Sequence, residues 1–392
     1  MGMVQAYQAQ CDPPLSRLFL AFLRMGITAF GGPAMIGYLR KMAVSERKWL
    51  DGESFQSGVA LCQMVPGATA MQMAAYIGLR VHGVAGAAVS FTGFGLPAFI
   101  LMVVLSILYT HTHNISAVIS TFSGLQALIV AVVANAAISF GKTSLKNWRN
   151  ALIAIIAAGL FGLMVNPAVI ILMAALLGIL LNGRQHVQAR APRIAGVPQT
   201  TIQLTVLFLI GVIAFGALYF FQKPLFRLAS LMSKIDLLAF GGGFASVPLM
   251  FHEVVEARSW MDGSTFLDGI VLGQFTPGPI VITATFVGYL VNGLLGALVA
   301  TIAIFLPSFL LVIGVTPYFD RLRASPHFVK AVGGILCSFV GLLVTVTIRF
   351  GFNVHWDAAH IILCTAAFGA LLLNLDILWV VLAGTAISAF VF

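Results

Sequence analysis

Two short polar motifs interrupt apolar segments of the chain, and each combines a glutamine with a proline–glycine pair. The first reads QMVPGA at 63–68 and the second reads QFTPGP at 274–279. Proline cannot continue a helix and glycine permits a sharp turn, so we expect two half-helices to meet at each motif. The start of a half-helix has free N–H groups and a partial positive charge, which suit an anion. The neutral amides of Gln63 and Gln274 can also donate to an oxyanion.

Further donors and flexible backbone surround these motifs. FGGP at 30–33 and FGGG at 240–243 predict a second break in each half. A cation stands six residues before each of these motifs, and charged residues inside membrane segments are costly and therefore functional candidates. The candidate substrate-binding residues are Gln63, Pro66, Gly67, Thr69, Gln274, Thr276, Pro277, Gly278, Thr283, Gly31, Gly32, Gly241, Gly242, Arg24 and Lys234.

Each of these groups also has a purely structural interpretation. The Gly and Pro residues can be packing kinks, the Thr hydroxyls can bond neighbouring helices, and the two cations can extend to the membrane surface. Of the carboxylates Asp236, Glu253 and Asp376, only Glu253 lies close to a repeated break, so it is the candidate for proton coupling. Its alternative is a loop carboxylate. We predict no metal site, no cofactor and no catalytic residue.

The motifs belong to a duplicated unit. WLDGESF at 49–55 and LPAF at 96–99 return as WMDGSTF at 260–266 and LPSF at 306–309, at an offset of about 210 residues. The same offset joins both polar motifs and both glycine motifs, and Asn166 pairs with Asn374 at an offset of about 208. Such duplication in an apolar chain is typical of transporters built from structural repeats. We predict an N-terminal repeat at 1–182, a linker with an extra helix at 183–221, and a C-terminal repeat at 222–392.

The composition is that of a membrane protein with many crossings. The chain is 60% hydrophobic and 8% charged, whereas soluble domains carry about 25% charged residues. Apolar stretches near 85–109, 117–140, 201–221, 297–316 and 331–349 reach the roughly 20 residues that cross a bilayer. The net charge of +9 lies mostly in loops, which favours membrane topology over nucleic acid binding. The four cysteines form no CxxC pair, and we interpret them as small hydrophobic residues.

Loop charges indicate that the two repeats face opposite ways. Lys and Arg are concentrated in the first-half loops near 40–53 and 141–149, but in the second half near 317–331. The linker at 183–200 reads as a cytoplasmic loop, and the unpaired segment 201–221 supplies one extra crossing. The predicted fold is therefore an all-α polytopic membrane protein. It has two inverted-topology repeats, whose broken, re-entrant helices meet near the bilayer midplane.

At these motifs the chain resembles the chromate ion transporter family in its long, two-domain form. The resemblance is carried by FGGPAMIGYLRK, ERKWLDGESF and QMVPGATAMQMAAYIG in the first half. In the second half it is carried by FGGGFASVPLM and WMDGSTFLDGIVLGQFTPGPIVITATFVGYL, followed by LPSF. It implies a multi-pass inner-membrane protein that exports chromate and confers chromate resistance. The first half departs from the second, because its break reads PGA rather than PGP.

Several functions stay open at this stage. The leading hypothesis is chromate efflux driven by the membrane potential, the proton gradient or both. A sulfate-type oxyanion uptake carrier or anion exchanger could use the same scaffold, since chromate and sulfate are both tetrahedral dianions. An anion channel is a third class. A lipid-modifying membrane enzyme is a fourth, and the lack of clustered His, Asp and Cys disfavours it. We expect the lipid bilayer and an oxyanion as partners, and leave homodimerisation open.

Overall fold

The computed structural model describes residues 13–30, 34–113, 115–181 and 201–392, and these residues are helical with no β-strand. The first repeat contains α1 Leu15–Thr28, α2 Ala34–Arg40, α3 Gly52–Met64, α4 Thr69–Thr112, α5 Ser116–Ser144, α6 Trp148–Gly162 and α7 Pro167–Leu181. The unpaired helix α8 spans Thr201–Phe221. The second repeat contains α9 Lys223–Leu238, α10 Gly243–Phe251, α11 Gly263–Phe275, α12 Thr283–Val315, α13 Phe319–Ala324, α14 Pro326–Asn353, α15 Ala358–Leu372 and α16 Ile377–Val391.

The backbone repeats as the sequence does. A π-helical turn follows the second helix in both halves, at Lys41–Glu46 and at His252–Glu256. Positive φ angles recur at four matched positions of the two repeats. The pairs are Lys48 (51°) and Ser259 (51°), Gly67 (117°) and Gly278 (112°), Gly83 (63°) and Gly293 (56°), and Met164 (61°) and Asn374 (62°). The predicted pairing of Asn166 with Asn374 is therefore wrong by two residues. Asn166 instead matches Asp376, since each caps the helix that follows it.

Within the part of the chain that the structure describes, five helices are long and apolar enough to cross a membrane. They are Thr69–Thr112, Val118–Ser144, Ile202–Phe221, Ile280–Ala324 and Pro326–Asn353. Each of the five stretches predicted from hydropathy falls on one of them, and no stretch extends more than one residue beyond its span. Four apolar helices of 15 residues, α6, α7, α15 and α16, form a matched pair in each repeat. The protein is thus a multi-pass integral membrane protein.

The chain doubles back at each proline–glycine motif. In the first repeat Tyr76 of α4 packs on Gly58 of α3, and its hydroxyl donates to the carbonyl of Ser54 at 3.1 Å. In the second repeat Phe286 packs on Gly269 in the same way. These contacts straddle Pro66 and Pro277, so each motif is the tip of a re-entrant hairpin. The helix after Pro66 begins at Thr69, and the helical chain after Pro277 begins at Ile280. Both prolines lie in the turn.

A second reversal follows each hairpin. The long helix α4 contains non-helical backbone at His82 and Gly83, and α12 contains it at Asn292 and Gly293. Around these bends the backbone returns so closely that Gly78 touches Gly86 and Gly288 touches Gly296. A Cβ atom at any of these four glycines would overlap its neighbour. Each repeat therefore places a short half-helix beside a full membrane span.

The two repeats interlock rather than sit side by side. The long helix α14 of the second repeat packs against α6 and α7 of the first, and α5 of the first packs against α15 and α16 of the second. Close contacts repeat under this exchange, since Gly178 meets Gly334 and Ser388 meets Gly124. Contacts that recur when the two repeats are exchanged are those expected of repeats related by a pseudo-two-fold axis.

Helix α8 lies at the edge of this assembly. It packs on α9 and α12, and none of its apolar 18-residue window is buried. An apolar helix with no buried face suits contact with lipid. Its place between the two copies is the one predicted for the extra crossing that inverts the second repeat, and that role stays a prediction. The predicted cytoplasmic loop at 183–200 lies outside the described residues.

Candidate anion site between the repeats

The tip of each hairpin is hydrogen-bonded to the glycine-motif break of the other repeat. Gly67 donates its backbone N–H to the carbonyl oxygen of Ala239 at 2.8 Å, and Gly278 donates to Ala29 at 3.0 Å. Ala239 immediately precedes FGGG and Ala29 immediately precedes FGGP. The predicted site residues Gly31 and Gly32 lie outside the described residues. All the breaks that the structure describes therefore converge between the two repeats.

The LPxF motifs complete this reciprocal arrangement. Gly67 packs against Ser308 of LPSF, and a Cβ atom placed on Gly278 would lie 3.1 Å from the Cβ of Ala98 in LPAF. Both glycines have φ angles above 110°, a region that L side chains avoid. Backbone conformation thus favours glycine at both hairpin tips, and at Gly67 the space beside Ser308 requires it as well. Each tip contacts the break and the LPxF helix of the opposite repeat.

Buried polar groups make the two half-sites chemically different. Asp236 is fully buried, and its Oδ2 accepts the backbone N–H of Ser308 at 2.7 Å. Its Oδ1 has no hydrogen-bond partner among the described residues. The corresponding residue of the first repeat is Gly26, which packs on the Phe94 carbonyl and on Pro97. Beside the first hairpin tip there is therefore a carboxylate, whereas the matched position beside the second tip holds a glycine with no side chain to bind a ligand.

The start of α4 faces the glycine loop of the second repeat. Its N-cap, Ala68, has no side-chain acceptor for the N–H groups of the first turn, so these groups are left to a ligand or to water. The hydroxyl oxygen of the half-buried Thr69 lies next to Gly242, where a Cβ atom would stand 3.0 Å from it. Gly241 and Gly242 have φ angles of 92° and 93°, so this loop also depends on glycine. The arrangement provides N–H and hydroxyl donors in one place.

The glutamines of the two motifs differ in environment. Gln274 is half-buried, and its Nε2 is a buried donor with no partner among the described residues. Gln63 is exposed. Another amide, Gln72, is fully buried and donates to the carbonyl of Pro66 at 2.5 Å, which fixes the first hairpin tip. An unpaired buried N–H costs about 1–3 kcal/mol, so Gln274 Nε2 is poised for an acceptor that binds there.

Two of the predicted threonines serve the backbone. The hydroxyl of Thr276 donates to the carbonyl of Gly273, and that of Thr283 donates to the carbonyl of Ile280, each at 2.8 Å. A hydroxyl whose proton is engaged in this way cannot donate it to an anion. In this conformation, Thr276 and Thr283 shape the second break, which leaves Gln274 as the available side-chain donor.

The predicted cations do not form a matched pair. Arg24 is exposed on α1, whereas Lys234 lies in an open cavity of about 440 Å³ and binds Glu253 Oε1 at 2.5 Å. Arg258 pairs with the other carboxylate oxygen of Glu253. Burial alone would raise the pKa of Glu253, but hydrogen bonds from Lys234 and Arg258 outweigh it and lower the pKa. The ionised form is thus favoured, and the predicted proton-coupling role of Glu253 stays a prediction.

Comparison with known proteins identifies the family. A family model described as chromate transporter matches the chain twice, over residues 16–179 and 226–389. The chain belongs to the chromate transporter family. The chromate transport protein of Pseudomonas aeruginosa is 32% identical over 86% of this chain and 81% of its own length. That of Cupriavidus metallidurans is 30% identical, over 84% and 80%.

A more similar relative has no assigned substrate. An uncharacterised transporter of Methanocaldococcus jannaschii is 41% identical over 95% of this chain and 93% of its own length. No solved structure matches the chain.

Sequence reasoning missed several residues of this transporter's interior. Ala29, Ala98, Ala239 and Ser308 contact the hairpin tips. The three alanines carry no polar group, and the hydroxyl of Ser308 donates to the carbonyl of Phe305 in its own helix. Their signal was position, since all four lie in or beside motifs that recur at the same offset. Within the described part of the chain, no group of three or more His, Cys, Asp or Glu residues could hold a metal ion.

Proposed function

We propose that the protein exports chromate, a tetrahedral oxyanion, across the inner membrane and thereby confers chromate resistance. Family membership supports chromate as the substrate. The observation that carries the site is the reciprocal pair of hydrogen bonds from Gly67 to Ala239 and from Gly278 to Ala29. Because each hairpin tip is held by the other repeat, a change in their relative orientation must act on both tips at once.

The anion binds between the two hairpin tips in this proposal. Gln274 Nε2 supplies an unpaired buried donor, and the start of α4 with Thr69 supplies further donors opposite the Gly241–Gly242 loop. Pro66, Gly67, Pro277 and Gly278 hold the turns that bring these donors together. Hydrogen bonds from neutral donors stabilise an oxyanion without the cost of burying a cation.

The charged residues act at the mouth of the site. The two positive charges of Lys234 and Arg258 exceed the single negative charge of Glu253, so the crevice that these residues line carries a net positive charge. A positive crevice raises the local concentration of an anion. Arg24 is exposed on the first repeat and would attract anions there.

The membrane potential suffices to drive export. A dianion leaving a negative interior gains about 4.6 kcal/mol per 100 mV, which corresponds to a concentration ratio above roughly a thousandfold. Rocking of the interlocked repeats about the hairpin tips would expose the site alternately to each side. The proposal requires no catalytic step.

Everted membrane vesicles test direction and substrate together. Radiolabelled chromate should accumulate inside everted vesicles when the potential is inside-positive, and the flux should saturate. Excess sulfate that abolishes the flux would identify a general oxyanion carrier. Flux that fails to saturate would indicate a channel. Flux no greater than that of everted vesicles from cells that lack the protein would contradict the proposal.

A further inference from the structure

A second polar cavity lies away from the hairpin tips. Its volume is about 310 Å³, and it is enclosed by α4 and α5 of the first repeat and α11 of the second. Asp268 of α11 lies in its wall with 8% of its surface exposed. Nothing in the proposed chromate pathway uses this carboxylate.

Asp268 is held entirely by neutral donors. The hydroxyl of Tyr109 donates to its Oδ2 and the amide of Gln126 donates to its Oδ1, each at 2.8 Å. Among the described residues no Lys, Arg or His forms an ion pair with it, in contrast to Glu253. A buried carboxylate without a cation is costly while ionised and readily takes up a proton.

The donors are fixed in position. The ring of Tyr109 is packed edge-on against Phe122 and Phe286, with ring centroids 5.6 Å and 5.2 Å away. The other titratable groups near the cavity are His113, stacked on Tyr109, and Asp262 at the start of α11. His360 lies one step further out, bonded to the hydroxyl of Ser123. The described residues of α12, α14 and α16 add no charged side chain to the lining.

We propose that Asp268 is the proton-binding carboxylate through which the transporter couples oxyanion movement to the proton gradient. The proton enters from the cavity, binds one carboxylate oxygen and leaves to the other side after the repeats rearrange. Protonation reverses the hydrogen bonding, because the new O–H must donate where Tyr109 or Gln126 donated before. A phenol can rotate and an amide can flip, so the contact between α11 and α4 or α5 changes with each proton.

The position of Asp268 connects this change to the anion site. It lies on α11, the helix that carries Gln274 and leads into the second hairpin tip, whereas Tyr109 and Gln126 belong to the other repeat. The repeat-related positions hold Ser57, Phe319 and Leu336, which cannot bind a proton in this way. Among the described residues, the cluster of Asp268, Tyr109 and Gln126 therefore has no counterpart at the repeat-related positions. It also differs from the buried Asp236, which accepts the backbone N–H of Ser308. The coupling of protonation to oxyanion movement rests on the proposed transport function, but protonation of Asp268 itself can be measured without chromate.

Reconstituted vesicles with the membrane potential clamped test the coupling. Chromate flux through the wild-type protein should rise at least severalfold when a pH gradient is imposed. In Asp268→Asn the ratio of flux with and without the gradient should fall to about one. In Glu46→Gln, whose exposed carboxylate lines neither cavity, the ratio should remain severalfold. Chromate counterflow in the same vesicles shows whether each variant is folded. A gradient response that persists in Asp268→Asn, or is absent from the wild type, would overturn the inference.

An infrared titration provides the chromate-independent readout. On acidification, purified protein should gain an absorbance band from protonated carboxyl groups. The part due to Asp268 should be missing in Asp268→Asn and should remain in Glu253→Gln and in Asp236→Asn. If Asp268→Asn does not fold, Tyr109→Phe should move the midpoint of the wild-type band to higher pH, because the ionised form loses a donor. An unchanged band in Asp268→Asn, or an unchanged midpoint in Tyr109→Phe, would contradict the proton site. Loss of the band without any wild-type chromate flux would support the proton site and refute the proposed transport function.

Discussion

Gly67 donates its backbone N–H to the carbonyl oxygen of Ala239 at 2.8 Å, and this bond joins the hairpin tip of one repeat to the break of the other. Its repeat-related partner joins Gly278 to Ala29 at 3.0 Å. Because these two backbone hydrogen bonds are related by exchange of the repeats, both repeats contribute to the centre of the protein. Neither repeat can form its own half-site alone, because each tip finds its partner in the opposite copy.

Replacement of Gly67 by alanine tests this packing. The new Cβ would overlap Ser308, and a φ of 117° is strained for any L side chain, so we expect Gly67→Ala to lower unfolding stability by about 2–4 kcal/mol. Gly278→Ala should cost less, because its Cβ would stand 3.1 Å from Ala98. Thermal unfolding in detergent measures both. Adding Ser308→Gly to Gly67→Ala should restore only the part of the lost stability that is due to overlap with Ser308. A Gly67→Ala protein as stable as wild type would contradict the described geometry.

The interlocked helices give a second test with an adjacent control. A Cβ atom on Gly334 would overlap the backbone of α7, whereas one on Gly333 would meet nothing within 4 Å. We expect Gly334→Ala to lower the unfolding temperature. Gly333→Ala should leave it unchanged or raise it, since alanine is favoured over glycine in a helix by about 0.5–1 kcal/mol. Equal effects of the two substitutions would contradict the described contact between α14 and α7.

The Glu253 cluster predicts a pH-dependent stability. The pKa of Glu253 is lowered in the folded protein, so its pairing stabilises the fold at neutral pH and this contribution is lost as the pH falls through that lowered pKa. Glu253→Gln should therefore cost about 1–3 kcal/mol at neutral pH, and the difference from wild type should narrow in acid. Glu46→Gln is the control, because its pair with Lys41 is 3.8 Å long and exposed. A constant difference across the pH range would contradict this assignment.

Inverted orientation can be tested at one matched pair. Arg47 and Arg258 follow the π-helical turn of the first and second repeat respectively. Single cysteines introduced there, in a background without the four native cysteines, should react with an impermeant thiol reagent from opposite sides of the membrane. Reaction from the same side would place the repeats in parallel. The degree of labelling in intact cells and in everted vesicles gives the comparison.

Much of the fold could be predicted from the sequence because it is encoded locally. The apolar stretches, the turns at Pro66–Gly67 and Pro277–Gly278, and the offset between copies depend on residues close together in the chain. The error at Asn166 arose because a shared residue type was mistaken for a shared position. The φ angle of Asn374 is instead repeated at Met164, a residue with no sequence likeness to it.

The centre of the site could not be predicted because its contacts join distant parts of the chain. The Gly67–Ala239 bond uses only backbone atoms, so no side-chain pattern signals it. Symmetry of sequence also concealed asymmetry of environment. Gln63 and Gln274 match in the motif, yet one is exposed and the other carries an unpaired buried donor. Lys234 and Arg24 match similarly, but only Lys234 is paired with a carboxylate in the described structure.

Chromate flux through the Gln274→Ala variant is the most direct test of the central claim that the anion binds at the second hairpin tip. A hydrogen bond from a buried amide to an oxyanion contributes about 1.5–3 kcal/mol, so its loss should weaken apparent chromate affinity roughly 10- to 100-fold. Flux should be measured in reconstituted vesicles at a fixed potential, over a range of chromate concentrations. Gln63→Ala, at the matched but exposed position, should change the affinity by less than about threefold. Wild-type affinity in Gln274→Ala, or equal losses in both variants, would contradict the account.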